Sequence, residues 1–307
     1  MTVPTTPAKP LYDFAALPDT AQGFNVTLMG PSGTGKTHAL GTLVDTGMEV
    51  FVLFTESGVE SLQGYYADRG RPIPDNLHYH VVRAPDSSFE DMITAATRIN
   101  TQSLESLSKL MDPDRAKHNQ FISILKALAN FIDDRTGESF GSVATWPAGH
   151  VLAIDGLTGL GRASMAMVVG GKPVKSQPDW GIAQDQVEKL LRKLCDDCRC
   201  SFVLLAHVER ETDAVLGGVK LMASTLGVKL APKIPAMFSD VILTTRQGDK
   251  WSWDTANSMA DLKTRNLPIK ADLPPNFAPI VSKWYARATA SKTFAEAPLG
   301  LMTGKFQ

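Results

Sequence analysis

Cysteine is scarce in this chain. Only Cys195, Cys198 and Cys200 occur in 307 residues, and all three fall in one C-x-x-C-x-C cluster. So few, so close together, cannot form the disulfide framework of a small secreted domain. A structural zinc would need a fourth ligand, and the nearest histidine, His207, falls at the far end of the next expected strand. The cluster instead continues a helical rhythm, Val187, Leu190, Leu191, Leu194, Cys195 and Cys198, in which a free thiol packs as a small hydrophobe. Net charge is also nearly absent: it is −1, with a pI of about 6.6. The whole-chain field therefore does not advertise nucleic acid, and any such site must be a local patch or loop. No apolar run reaches the roughly 18 residues of a membrane span. The stretch Met1-Thr2-Val3-Pro4-Thr5-Thr6-Pro7 lacks the charged and apolar regions of a signal peptide. These absences lead us to expect a cytoplasmic protein with no membrane partner.

What is present is ordinary globular composition, 43% hydrophobic and 21% charged, on a chain long enough to bury a large core. Apolar strand candidates are Asn25–Met29, Val50–Phe54, His78–Val82, Val151–Ile154, Phe202–Ala206 and Val241–Thr244. Several are near-continuous apolar runs, as in strands covered on both faces of a parallel sheet. Between them lie helical stripes: Leu104, Leu107, Leu110 and Met111; then Phe121, Ile122, Leu125, Leu128, Ala129 and Ile132; then 183–198. This alternation predicts an α/β fold, a mostly parallel twisted sheet flanked by helices. Past Val241, the turn Thr245-Arg246-Gln247-Gly248-Asp249 and the alternating Lys250-Trp251-Ser252-Trp253 predict an antiparallel C-terminal hairpin. We expect an N-terminal arm over 1–22, one core over 23–286 and a tail over 287–307.

Residues Gly30-Pro31-Ser32-Gly33-Thr34-Gly35-Lys36-Thr37 fit G-x-x-x-x-G-K-[ST], between an apolar strand and the helical start His38-Ala39-Leu40. Strand, glycine-rich turn and helix make a phosphate-binding loop, whose backbone N–H groups and helix N-terminus face the anion. Lys36 would neutralise the β- and γ-phosphates, and the Thr37 hydroxyl would ligate Mg²⁺. The nucleotide set is thus Gly30 to His38.

Three strand ends extend this reading. Asp155 closes an apolar strand, where a carboxylate can hold the shell of Mg²⁺ bound at the loop. Glu56 closes the strand after the loop helix, where it can orient or deprotonate an attacking water; otherwise it is a solvated turn acid. His207 closes the strand Ser201–Ala206. It either touches the γ-phosphate and reports its loss or merely caps a strand.

The set Gly30–Thr37, Glu56, Asp155-Gly156-Leu157-Thr158 and Ala206-His207-Val208-Glu209 resembles the RecA-like P-loop NTPase core. More narrowly, the chain is similar to phage-encoded ATPases of the Sak type, which are single-strand annealing proteins. That narrower match rests on Asp179-Trp180-Gly181, on Gly227-Val228-Lys229-Leu230-Ala231-Pro232-Lys233, on Phe238-Ser239-Asp240-Val241 and on Lys263-Thr264-Arg265-Asn266-Leu267-Pro268. The resemblance implies hydrolysis of ATP with Mg²⁺, single-stranded DNA as partner, a ring or filament of identical subunits, a single-strand-binding protein as a further partner, and the host cytoplasm. It implies catalytic roles for Glu56, Lys36 and His207, although RecA-like proteins commonly carry an amide where His207 stands. It also places DNA-binding loops at 156–178 and 211–225.

Those loops carry Lys172, Lys175 and Lys220 among glycines, which suits a strand backbone but supplies no aromatic stacking platform. Lys229, Lys233, Arg246 and Arg265 are candidates for a cation acting on a neighbouring subunit's γ-phosphate; otherwise each is a plain surface or phosphate-contacting residue. Trp180, Trp251 and Trp253 read as packing residues, or, if exposed, Trp251 or Trp253 could stack a base. Two other readings remain: a P-loop kinase for a small molecule, and a nucleotide switch that loads a partner such as a helicase.

Overall fold

The computed structural model describes residues 12–83, 88–109, 115–213, 217–227 and 229–295. Nine strands run in chain order: β1 Asn25–Met29, β2 Glu49–Phe54, β3 Leu77–Val81, β4 His150–Asp155, β5 Ser201–Ala206, β6 Val208–Asp213, β7 Gly218–Ala223, β8 Asp240–Gln247 and β9 Lys250–Asp254. The helices are α1 Lys36–Val44, α2 Val59–Ala67, α3 Phe89–Thr101, α4 Leu104–Ser108, α5 Gln120–Ala129, α6 Leu157–Val169, α7 Gln177–Arg192, α8 Ile234–Met237 and α9 Ala278–Ala295. Seven strands form one sheet in the order β3-β2-β4-β5-β1-β8-β9, all parallel except β9, which returns antiparallel beside β8. The expected fold class and C-terminal hairpin are both present.

Both faces of the sheet are buried, which is why its strands read as continuous apolar runs. Phe51, Leu53, Leu152, Ile154, Phe202 and Leu204 point into one core, with residues of α5, α6 and α7. Their alternates Val50, Val52, Val151, Ala153, Val203 and Leu205 point into the other, against α1, α2 and α9. This two-residue period is the pleat of the strand. Cys198 and Cys200 lie in the first core with Cys195 packed against it, and burial pushes the Cys195 and Cys200 thiols up to about 12. The helix expected over 183–198 is α7 followed by one wide turn, Lys193–Asp197.

Two expectations about irregular segments are corrected. The loop expected over 156–178 is mainly α6. Its glycines argue against a helix on propensity, but close neighbours exclude a side chain at one and crowd the other. A Cβ at Gly159 would lie 2.6 Å from the Thr55 carbonyl oxygen, and one at Gly161 would lie 3.2 Å from the Leu226 Cβ. The loop expected over 211–225 belongs to a second antiparallel hairpin, β6–β7, with Glu211 opposite Lys220. Helix α3 escaped the sequence reading because none of its residues is buried. In α4, Leu107 is buried while Leu104 is exposed, and Leu110 and Met111 lie outside the described residues. Tyr12 and Phe14 of the expected arm pack on Tyr285 and Trp284. Helix α9 continues through 287, the start of the expected tail, while residues 1–11 and 296–307 lie outside the described residues.

Candidate nucleotide site

Parallel register brings the chemistry to one edge. Met29 pairs with Ala206, Leu205 with Asp155, and Asp155 with Phe54. The residues that follow those strands, Gly30, His207, Gly156 and Glu56, therefore meet at the carboxyl end of the sheet, where open α/β folds bind ligands. Strand β5 lies between β1 and β4, so His207 stands between the phosphate loop and Asp155.

The loop is fixed from several sides. The Gly30 N–H donates to the Ala206 carbonyl at 3.1 Å. The Thr34 hydroxyl bonds to the Pro31 carbonyl at 2.8 Å and to Thr244 Oγ1 at 2.7 Å. Gly35 caps α1 with φ of 77°, a left-handed conformation in which a side chain would also collide with the Trp251 ring at 2.8 Å. Lys36 Nζ donates to the Gly30 and Pro31 carbonyls, each at 2.8 Å. Burial lowers its pKa to about 8, opposed by the charges of Asp155 and Glu56. His38 sits edge-on between Tyr65 and Trp251, 4.8 Å from each ring.

Thr37 Oγ1 donates to Asp155 Oδ2 at 2.7 Å. Burial raises the Asp155 pKa to about 6, against the Thr37 bond and the Lys36 charge. A hydroxyl and a desolvated carboxylate side by side offer the hard oxygen donors that Mg²⁺ prefers. Glu56 turns toward the same space, ion-paired with Arg162 of α6, and His207 Nε2 lies 3.8 Å from Glu56 Oε2. A Cβ at residue 156 would approach Glu56 Oε2 to 2.6 Å, so Gly156 makes room for that carboxylate. The His207 pKa is lowered, first by burial and then by the Lys36 charge, so its imidazole is neutral at pH 7. These groups line one cleft of about 1040 Å³, with Ser32, Gly33, Thr34, Gly35, Lys36, Thr37 and His38 along one wall.

Most of the other expected residues do not converge there. Lys172 pairs with Asp179 at 3.5 Å, Lys175 Nζ lies 5.4 Å over the Trp180 ring, and Lys220 pairs with Asp261 at 2.7 Å. Lys233 pairs with Glu188 at 2.5 Å, and Lys229 is exposed. Arg246 NH1 would lie 3.9 Å from a Cβ placed on Gly33, beside the loop of its own chain. Arg265 lies at the opposite edge, near Gly23 and Ser239. Trp253 is fully buried, whereas Trp251 is part of the cleft lining. Sequence reasoning missed Arg162, Thr244, His118 and Gln120. None belongs to a motif, and only tertiary packing brings Arg162 to Glu56, His118 and Gln120 to the cleft, and Thr244 to Thr34.

A profile of the AAA domain family matches residues 22–267. No curated protein matches the chain significantly. Among solved structures, it is similar to the ATPase EscN assembled with its central stalk EscO, from the type III secretion system of enteropathogenic E. coli. The TM-score is 0.39 at 13% identity, covering 93% of this chain and 56% of that one. A prototypical ATPase from the type III secretion system of pathogenic bacteria gives 0.36 at 15% identity, covering 73% and 53%. The RadB recombinase gives 0.33 at 15% identity, covering 81% and 84%. The chain spans about half the length of these two secretion ATPases.

Proposed function

This chain belongs to the AAA domain family of P-loop ATPase domains, and on that footing we propose that it hydrolyses ATP with Mg²⁺ and couples turnover to single-stranded DNA. The observation that carries the hydrolytic half is the Thr37–Asp155 hydrogen bond at 2.7 Å beside Lys36, with Glu56 and His207 facing the same cleft. Lys36 would exchange its two carbonyl partners for phosphate oxygens. The added negative charge would draw its pKa back up and hold it cationic through the reaction. Thr37 and Asp155 would hold the metal ion, which neutralises charge on the β- and γ-phosphates. Glu56 would accept a proton from the attacking water, and neutral His207 would donate a hydrogen bond to the γ-phosphate or the leaving group.

Coupling to DNA is supported by topology. His207 joins β5 directly to β6, and the N–H of Ser224, which follows β7 at the base of the hairpin, donates to the His207 carbonyl at 2.7 Å. A shift of His207 on loss of the γ-phosphate would move the β6–β7 hairpin with it. We place the protein in phage DNA annealing or recombination, in the host cytoplasm, as a ring or filament in which Arg246, Lys229 or Lys233 of one subunit reaches the next, alongside a single-strand-binding protein. The Glu56–Arg162 pair favours one other reading, a slow nucleotide switch that loads a partner such as a helicase, because it restrains the proposed base.

The test is steady-state ATP hydrolysis with and without single-stranded DNA, with duplex DNA as control and Lys36→Ala as blank. Stimulation by single strands, lost in Lys36→Ala, supports the coupled ATPase. Turnover indifferent to DNA removes the coupling and leaves the switch.

A further inference from the structure

Glu56 stands one residue past Thr55, at the point where β2 gives way to the cleft. The ladder between β2 and β4 ends with Phe54 opposite Asp155. Thr55 adds two bonds beyond it. Its N–H donates to the Asp155 carbonyl at 2.8 Å, and its hydroxyl donates to the Gly156 carbonyl at 2.7 Å. The same hydroxyl lies 3.3 Å from the Asp155 carbonyl. Thr55 is 6% exposed and Gly156 is buried, so the hydroxyl bond is shielded from water. It ties the strand that leads into Glu56 to the strand that ends in Asp155.

Helix α6 meets the same two residues. Gly156 is its N-cap, and Gly159 and Arg162 follow at steps of three along its first two turns. Gly156 accepts the Thr55 hydroxyl. Gly159 admits Thr55 closely, since a Cβ there would lie 2.6 Å from both the carbonyl and the hydroxyl oxygen of Thr55. Arg162 pairs with Glu56 Oε1, and Glu56 Oε2 lies 3.8 Å from His207 Nε2. The two grips differ in strength. The Arg162 side chain is mostly exposed, and an ion pair open to water holds weakly. The Thr55 bond is desolvated, and a buried carbonyl that loses its donor has no water to replace it. The buried bond therefore fixes where the backbone of Glu56 sits, and the exposed pair only steers its side chain.

We propose that Thr55 is the positioning residue of the base: its hydroxyl, through Gly156, sets the place and direction of Glu56 relative to Asp155. A general base must come within about 2.6–3.2 Å of the group whose proton it takes, and a misplacement of about 1 Å can cost about 100-fold in rate. Threonine suits the task because two heavy atoms on Cβ restrict χ1, so the hydroxyl is held on its acceptor. Thr55 takes no proton itself and acts through Glu56. The assignment deepens the hydrolytic reading above and rests on Glu56 as the base.

The experiment is steady-state phosphate release by the full chain at saturating MgATP, with nucleotide affinity measured in parallel by calorimetry. Wild type is compared with Thr55→Val, Thr55→Ala, Thr55→Ser, Glu56→Gln and the double variant Thr55→Val/Glu56→Gln. Thermal melts verify that each variant folds, and Thr55→Ala carries the comparison if Thr55→Val does not. Valine keeps the branching without the hydroxyl, and serine keeps the hydroxyl without the methyl group. Thr55→Val and Thr55→Ala should each lose at least about tenfold in turnover, with affinity within a few-fold of wild type. Thr55→Ser should recover most of the rate. In the Glu56→Gln background, Thr55→Val should lower turnover little further, because the group it positions is already gone. A packing role would make turnover follow shape, with Thr55→Val active and Thr55→Ser impaired, and would overturn the proposal. A Thr55→Val loss of equal size in both backgrounds would overturn it too. If Glu56→Gln turns over like wild type, the base reading itself fails and the assignment falls with it. A slow Glu56→Gln beside a fast Thr55→Val leaves the base in place and removes Thr55.

Discussion

Replacing Asp155 by Asn should stabilise the ligand-free protein while removing its response to MgATP. Burial lifts the Asp155 pKa from 3.8 to about 6. The folded state therefore holds that proton more tightly than the unfolded chain. Its contribution to stability is full below pH 3.8 and is lost as pH rises to and through 6, at about 1.4 kcal/mol per pH unit within that window. A displacement of about two units amounts to about 3 kcal/mol of native-state cost at neutral pH. Asn keeps an oxygen able to accept from Thr37 and carries no charge, so the variant escapes most of that cost. Urea unfolding of both proteins at pH 4, 5, 6 and 8 measures it. The variant should be more stable by up to about 3 kcal/mol at pH 8, and the gap should close as pH falls below 6. Saturating MgATP at about 100 times its Kd should add about 2.7 kcal/mol to wild type and far less to the variant. An Asn variant no more stable than wild type at pH 8, or a gap that ignores pH, would refute the reasoning.

Lys36 is the counterpart. Its pKa, lowered by burial to about 8, makes native stability rise between pH 8 and 10.5. Lys36→Met should raise the ligand-free melting midpoint at pH 7 and abolish the shift caused by MgATP, both read by differential scanning fluorimetry. Gly159→Ala forces a Cβ to within 2.6 Å of the Thr55 backbone, and should cost about 1–3 kcal/mol in urea unfolding. Arg162 is 70% exposed, so Arg162→Ala should change stability by less than about 1 kcal/mol. By releasing Glu56 it should raise basal phosphate release; an unchanged or lower basal rate would show that the ion pair does not restrain the base.

The parts of this protein that follow local rules were legible in its sequence. All six expected strands are present within a few residues, because strands buried on both faces read as apolar runs whatever surrounds them. The phosphate loop was legible because glycines, Lys36 and Thr37 must follow one another along the chain. Asp155, Glu56 and His207 could be found because parallel register brings every strand's carboxyl end to one edge. Helix α6 was not legible: the resemblance places a loop there and Gly159 and Gly161 lower helix propensity, yet Thr55 excludes a side chain at Gly159 and Leu226 crowds Gly161, both residues distant in sequence. Arg162 was hidden with it. The lysines of the expected DNA loops looked free in sequence because Asp261 lies far from Lys220 along the chain, while Asp179 serves both Lys172 and the cap of α7.

The central claim is that Glu56 activates water for ATP hydrolysis in the cleft built by Thr37, Asp155 and Lys36. The most direct measurement is phosphate release by wild type and Glu56→Gln at saturating MgATP, with nucleotide affinity determined in parallel. General-base catalysis contributes about 10²–10⁴ in rate, so turnover should fall at least about 100-fold while affinity stays within a few-fold of wild type. A Glu56→Gln protein that turns over within a few-fold of wild type would contradict the account and move the base elsewhere in the cleft.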